Sequence, residues 1–165
     1  MWHRFGHMQN VLVKDGDTVN KGQQLGTIGT GNGAFSAHLH YDIFREKPKS
    51  WTSYVYGMTK EQVKAFYEDP TALNLIVFPK FHHYGWEYLD RIVSGGKVGY
   101  HPGNDLNGPG AGNADLGLPF FSPCDGKIVY CYAGSGRNGG WGKLVCLEEL
   151  TTPVPCLHCP THCPK

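Results

Sequence analysis

Five residues in distant segments of the chain carry the side chains that a metal-dependent hydrolase needs. His38 and His40 are two positions apart, His101 and Asp105 are four apart, and His7 lies near the start. A catalytic zinc ion takes three protein ligands and keeps one position open for water. These residues supply three plausible ligands and two further imidazoles. Two imidazoles and one carboxylate leave zinc positively charged, so its water should titrate at a pKa of about 7 and could attack an amide.

The spacing within each pair indicates how the side chains could share one site. Alternate residues of a strand point to the same face, so His38 and His40 would lie roughly 6.6–6.8 Å apart along the chain. At that separation one ring can bind the metal while the other hydrogen-bonds the metal's water. The proline and glycine that follow His101 disfavour a helix, so a turn must bring the carboxylate of Asp105 beside that imidazole.

The elements that must position these residues are predicted to be mainly β. The chain contains 23 glycines, 11 prolines and many aromatic residues, a composition that favours short strands joined by tight turns. Alternation in His38–Phe44 places Leu39, Tyr41 and Ile43 on one face and the histidines with Asp42 on the other. The other predicted strands are residues 10–13, Gln24–Ile28, Lys127–Tyr132 and Lys143–Leu147.

Residues 46–98 are predicted to form a connector that carries one helix. Thr59 is followed three positions later by Gln62, which is the pattern of a capping box, and Pro70 would prevent the helix from continuing. The rest of the connector is aromatic-rich and irregular. The predicted apolar stripe of the helix consists of Val63, Phe66 and Tyr67.

Composition excludes several classes of function. Fifteen basic and fourteen acidic residues give a formal net charge of +1, so nothing favours a nucleic-acid partner. We find no apolar stretch long enough to span a membrane and no leader resembling a signal peptide at the start. The length of 165 residues fits one domain. Residues 151–165 form a Pro, Cys and His tail without periodicity, which we expect to be disordered.

Several segments resemble motifs that occur together in one family of enzymes. The segments are Phe5-Gly6-His7-Met8, residues 19–29, His38-Leu39-His40-Tyr41-Asp42-Ile43, His101-Pro102-Gly103-Asn104-Asp105 and Gly139-Gly140-Trp141-Gly142. They resemble the Tyr-x-His-Leu, glycine-rich, His-Leu-His-Phe-Glu-Ile, His-x-Gly-x-Asp and glycine-aromatic segments of the lysostaphin-type, LytM-like zinc endopeptidases. The likeness covers residues 3–45 and 99–149. Asn104 departs from it, because the family usually has an apolar residue there.

The resemblance implies a fold, a cofactor and a substrate. The fold would be a small antiparallel β barrel-sandwich, a duplicated hybrid motif, with one Zn²⁺ ion held by His101, Asp105 and His40. His38 and His7 would lie beside the metal's water, one as general base and the other to stabilise the oxyanion. The substrate would be a peptide of bacterial peptidoglycan. The expected location is therefore the cell wall, the periplasm or the extracellular space, for a bacterial or a phage enzyme.

The order of the two halves is reversed relative to this family. Residues 1–45 resemble the C-terminal half of the peptidase domain and residues 99–150 its N-terminal half. In the usual order the strand matching Leu144–Leu147 turns into the segment matching Trp2–Met8, and a chain opened at that hairpin tip would be circularly permuted. We therefore expect a monomer that closes its site within one chain. A swapped dimer or a fragment from a miscalled gene are the alternatives.

Three other functions are weighed against the hydrolase. Residues 15–23 resemble half of a biotinyl or lipoyl carrier domain, but the exposed lysine of the carrier motif is missing. The glycines around Asn32 resemble a phosphate loop, but no Lys-Ser/Thr pair and no helix follow them. A cell-wall-binding or regulatory module with the same fold and no turnover stays open as the alternative function.

Overall fold

Strands dominate the computed structural model, which describes residues 1–150. The twelve strands are β1 (Trp2–Val11), β2 (Thr18–Val19), β3 (Gln24–Ile28), β4 (Leu39–Phe44), β5 (Tyr67–Glu68), β6 (His83–Tyr84), β7 (Arg91–Ser94), β8 (Lys97–Tyr100), β9 (Gly103–Asn107), β10 (Pro119–Phe121), β11 (Gly126–Tyr132) and β12 (Lys143–Glu149). Two short helices, α1 (Lys60–Phe66) and α2 (Asn74–Val77), lie between β4 and β6. The mainly β fold predicted from the sequence is confirmed, with one more short helix than expected.

The main sheet joins the two ends of the chain. Ten strands form it, and its main path runs β2-β11-β12-β1-β4-β9-β6, with β3, β5 and β10 attached at the side. All pairings are antiparallel. The first strand, β1, pairs with β12 on one side and with β4 on the other. The expected pairing of the first and last strand-forming segments is therefore present.

One apolar core lies between segments that are far apart in sequence. Phe5 and Tyr41 stack with ring centroids 5.1 Å apart, and Phe5 also stacks on Phe120 at 5.5 Å. Leu106 and Leu147 are fully buried in the same cluster. Because burial of apolar surface is the main force that favours folding, this shared core holds residues 1–44 and 103–147 together.

The connector packs against this body through its helix. Thr59 caps α1, its side chain accepts from the Gln62 amide, and the Gln62 side chain accepts from the Thr59 amide, so the predicted capping box is confirmed. Val63 and Tyr67 are buried, but Phe66 is 50 % exposed, so the predicted stripe is wrong at that position. The helix ends at Phe66, and Tyr67 already pairs with β4 as a strand residue.

Two parts of the backbone differ from the sequence prediction. β1 begins at Trp2 instead of residue 10, because both of its edges are paired and this outweighs the polar residues in its first half. The connector also contains the hairpin β7-β8, closed by Gly95 and Gly96, both with positive φ. Its strands are only four residues long, too short for a clear period.

The expected disorder of residues 151–165 lies outside the described residues. None of the helices within residues 1–150 has the length and apolar character needed to cross a membrane.

Candidate metal centre

Three potential ligand atoms from two adjacent strands converge at one point. His40 lies on β4 opposite Asp105 on β9, and His101 immediately precedes β9. Nδ1 of His40 lies 2.8 Å from Oδ1 of Asp105 and 3.2 Å from Nε2 of His101, and the last two atoms are 3.3 Å apart. All three residues are buried. The turn expected between His101 and Asp105 is replaced by a bend at Pro102 that leads directly into β9, and this arrangement still places the two side chains beside His40.

These separations fit a small tetrahedral cation. Ligand atoms about 2.0–2.1 Å from a tetrahedral zinc ion lie roughly 3.3 Å from one another. The three atoms need to move apart by only a few tenths of an ångström to reach that spacing. Within residues 1–150 no other group of three or more His, Cys, Asp or Glu side chains converges in this way.

The nitrogen of each imidazole that faces away from this point has its own partner. Nε2 of His40 lies 3.0 Å from Oδ2 of Asp42, and Nδ1 of His101 lies 2.7 Å from the carbonyl oxygen of Gly103. Such contacts fix the ring orientation and the tautomer of metal-binding histidines. Each ring therefore presents its remaining nitrogen to the point of convergence.

A fully buried ion pair supports this arrangement from behind. The guanidinium of Arg4 donates to both carboxylate oxygens of Asp42, and both residues have no exposed surface. Arg4 also donates to the carbonyl oxygens of Trp51 and Ser53, each at 2.9 Å. Its charge lies 3.9 Å from the ring of Trp141. Because every part of the guanidinium is engaged, the pair avoids an uncompensated buried charge.

The pKa values of two candidate ligand residues, His40 and Asp105, follow from burial and from these contacts. Burial disfavours a charged His40, but hydrogen bonds to Asp105 and Asp42 outweigh burial and raise its pKa to about 8. Burial would also raise the pKa of Asp105, but the charge of His101 and the hydrogen bonds from both histidines hold it well below its usual value. The protein therefore keeps a carboxylate where a cation would bind.

His38 lies at the edge of the triad. Its Nδ1 is 2.9 Å from the carbonyl oxygen of Ser36, and its Nε2 is 3.7 Å from Oδ1 of Asp105. An imidazole whose Nδ1–H donates to a carbonyl keeps Nε2 as a lone-pair acceptor. His38 thus directs a basic nitrogen toward the three ligand atoms.

His7 reaches the site through an irregularity in β1. The pairing of β1 with β12 shifts register between Phe5 and Met8, and His7 has a φ of 64°. Bulges of this kind commonly redirect a side chain at functional sites. The ring of His7 lies 4.7 Å from that of His38, measured between centroids. Burial lowers the pKa of His7 well below 6.5, so its imidazole is neutral near pH 7.

Gly31 allows His7 this position. A Cβ atom at Gly31 would lie 2.9 Å from Nδ1 of His7, and the residue has a φ of +61°. Nδ1 of His7 is buried and has no hydrogen-bond partner among the described residues. The glycine-rich loop that contains Gly31 thus packs directly against this histidine.

The triad opens into a cavity that the connector helps to enclose. The cavity has a volume of about 690 Å³, and His7, His38, His40, His101 and Asp105 all line it. Every candidate residue from the sequence therefore borders one space. The connector also contributes to the lining, through Tyr54, Tyr56, Gly85, Trp86, Arg91, Ile92 and Val93.

Sequence reasoning missed the support from Arg4 and from the connector. The residues next to Arg4 in sequence do not indicate its partner, because its position opposite Asp42 depends on the register in which β1 and β4 pair. Asn104, which departs from the family pattern, is also buried. Its side chain accepts from the Tyr88 amide and donates to Thr71 and Asn74, so its polar group is satisfied by the connector. The available signal in the sequence was Asn104 itself, a polar residue at a position where an apolar one is expected, which indicates a polar partner nearby.

Comparison with known proteins gives one match. The family model described as Peptidase family M23 matches residues 1–52, about a third of the chain. This segment contains His7, His38 and His40, and the match supports a peptidase at the level of the family, in agreement with the LytM-like resemblance. No curated protein and no solved structure matches the chain.

Proposed function

We propose that this protein is a zinc-dependent endopeptidase that hydrolyses peptide bonds in bacterial peptidoglycan. The observation that carries the proposal is the convergence of His40 Nδ1, His101 Nε2 and Asp105 Oδ1, none more than 3.3 Å from another, at the wall of an open cavity. The family match over residues 1–52 supports the same reaction class. Two imidazoles and one carboxylate are also a ligand set that catalytic zinc uses.

Zinc bound by His40, His101 and Asp105 would supply Lewis acidity, which acidifies a water molecule and polarises the scissile carbonyl. His38 then acts as general base, because its Nε2 faces the triad while its Nδ1 is held by the Ser36 carbonyl. The same nitrogen can later return the proton to the leaving amine. This assignment depends on the orientation of the His38 ring, which the hydrogen bond to Ser36 fixes. A surface histidine without a hydrogen-bond partner would have no fixed orientation.

His7 stabilises the oxyanion of the tetrahedral intermediate. A neutral imidazole can donate one N–H, and burial keeps His7 neutral near pH 7. Since the ring of His7 lines the cavity, its one N–H is the proposed donor to the oxyanion. A donor fixed before the reaction needs no reorganisation when negative charge develops on the substrate oxygen.

The chain order is proposed to result from circular permutation, with the site closed in cis. The two segments that resemble family halves pair directly, since β4 lies beside β9 and β1 beside β12. We propose a monomer, with a swapped dimer as the alternative. The proposed substrate places the protein in the cell wall, the periplasm or the extracellular space.

The test combines metal content, size and activity of the purified full chain. We expect one zinc per monomer, loss of turbidity of a bacterial wall suspension, and loss of that activity with a chelator. The variant His40→Ala, purified in parallel, should lack both zinc and activity. A zinc-loaded protein that binds walls without releasing peptides would be a silent binding module, and a metal-free aggregate would contradict both the site and the permutation.

A further inference from the structure

The connector runs along the backbone of two proposed metal ligands, His101 and Asp105. The Gly85 amide donates to the Asp105 carbonyl, and the Asp105 amide donates to the Trp86 carbonyl, each at 2.8 Å. Farther along, the amide of His101 donates to the carbonyl of Asp90, also at 2.8 Å. Residues 85–90 therefore form a wall that is tied by backbone hydrogen bonds to the proposed zinc site.

Arg91 follows this wall and begins the hairpin β7-β8. It pairs with Tyr100, the neighbour of His101, and its side chain lines the same cavity as His101 and Asp105. The side chain is exposed, and it forms no ion pair or hydrogen bond with any residue in the described range 1–150. A guanidinium is charged at all relevant pH values and binds carboxylates through two parallel hydrogen bonds.

The charges of the cavity make it suited to an anion. Asp105 is the one acidic residue among the lining residues, and its carboxylate is already engaged by His40 and His101. Arg91 is the one lysine or arginine in that lining. Bound zinc would add two positive charges. Tyr54, Tyr56 and Trp86 provide apolar surface beside Arg91, which would exclude water around a peptide.

We infer that Arg91 forms an anion-binding subsite that takes a free carboxylate of the peptide substrate, next to the bond that is cut. The inference rests on the proposed function and narrows its substrate. An acidic stem peptide offers such a carboxylate, whereas a polyglycine bridge has no ionised side chain. The connector would then select the substrate as well as join the two halves of the domain.

The test measures binding separately from cleavage. Zinc-loaded His38→Ala protein, which should bind peptide without turnover, is titrated with glycine-rich peptides that carry either Glu or Gln at one position. Two further peptides, with a free or an amidated C-terminus, distinguish a side-chain carboxylate from a terminal one. We expect the preferred carboxylate peptide to bind on the order of tenfold more tightly than its neutral counterpart.

The variant Arg91→Gln in the same background should abolish this preference while zinc content stays unchanged. Lys97→Gln is the matched control, because Lys97 carries the same charge on the same hairpin but does not line the cavity. It should keep the preference. Equal affinity within both peptide pairs when Arg91 is intact, or a preference that survives Arg91→Gln, would overturn the inference.

Cleavage by the protein with His38 intact then separates the two proposals. If it cleaves neutral and carboxylate peptides at equal kcat/KM, the subsite is wrong and the peptidase is right. If it cleaves no peptide but binding still depends on Arg91, the subsite is right and the peptidase is wrong.

Discussion

Asp42 contacts the nitrogen of the His40 ring that points away from the candidate metal site. The Oδ2 atom of Asp42 lies 3.0 Å from Nε2 of His40, while the same carboxylate is paired with Arg4. One carboxylate therefore links a buried cation to a proposed metal ligand. Because the ring can turn only if this contact breaks, Asp42 determines which nitrogen of His40 faces the proposed metal site.

The variant Asp42→Asn should weaken zinc binding. The substitution removes the carboxylate charge beside His40 and leaves Arg4 without its ion partner. Loss of the residue that hydrogen-bonds a metal-binding histidine typically costs about 10- to 100-fold in metal affinity. Competition with a chromogenic chelator measures the zinc dissociation constant directly. Asp42→Glu, which keeps a carboxylate, should recover part of the affinity. Unchanged affinity in Asp42→Asn would show that His40 is oriented without this contact.

The variant His38→Gln should separate metal binding from catalysis. The proposed zinc ligands are untouched, but the basic nitrogen is lost, so we expect one zinc per chain and a fall in kcat of about 10²- to 10⁴-fold. Peptide release from cell walls and metal analysis of the same sample give both values. Wall digestion at the normal rate by this variant would remove His38 from its proposed role.

A pair of glycine substitutions tests the position of His7. Gly31 and Gly33 both have positive φ, so alanine strains the backbone at either site. Only at Gly31 would the new Cβ meet His7, since nothing lies within 4 Å of that position at Gly33. Gly31→Ala should therefore lower kcat much more than Gly33→Ala, with similar zinc content in the two and both assayed well below their unfolding midpoints. Equal kcat in both variants would contradict a catalytic position for His7.

Stability should fall in mild acid because His3 is buried as a neutral ring. Its Nδ1 lies 2.8 Å from the hydroxyl oxygen of Tyr41, and Nε2 faces Cys124 and Glu149. Burial, aided by the N-terminal charge, lowers the pKa of His3 from 6.5 to about 4. The unfolded chain thus takes up a proton below pH 6.5 that the folded chain accepts only near pH 4. The free energy of unfolding should drop by about 3 kcal/mol across that window.

Urea unfolding of the protein and of His3→Gln, both with chelator present, isolates this contribution. Every other titrating group is shared, including His7, so the difference between the two pH profiles belongs to His3. The variant should lose less stability between pH 6.5 and 4. Parallel profiles would mean that His3 is not kept neutral by the fold.

Local sequence patterns predict some parts of this fold well and others poorly. The strand β4 follows from apolar alternation, β3, β11 and β12 follow from short apolar segments bounded by turns and glycine-rich loops, and α1 follows from its capping box, because each depends on neighbours within a few residues. The early start of β1 depends on its pairing with both β4 and β12, and the bulge at His7 arises in the pairing with β12, which is more than 100 positions away. Such partners leave no local period in the sequence.

The candidate site divides in the same way. The types and spacing of His38, His40, His101 and Asp105 point to a metal site, and the resemblance adds His7. Their convergence depends on the pairing of β4 with β9, which spacing alone does not determine. The contributions of Arg4 and of the connector arise from tertiary contacts with backbone carbonyls, and carbonyls are the same in every sequence. The catalytic and metal-binding roles stay predictions.

Native mass spectrometry of the purified chain tests the central claim most directly, because it reports oligomeric state and bound metal together. We predict a monomer near 18.2 kDa carrying one zinc ion, and complete loss of the ion in His101→Ala. That result would place groups 61 positions apart on one metal within one chain. A monomer without zinc, or zinc that is found only in dimers, would contradict the account.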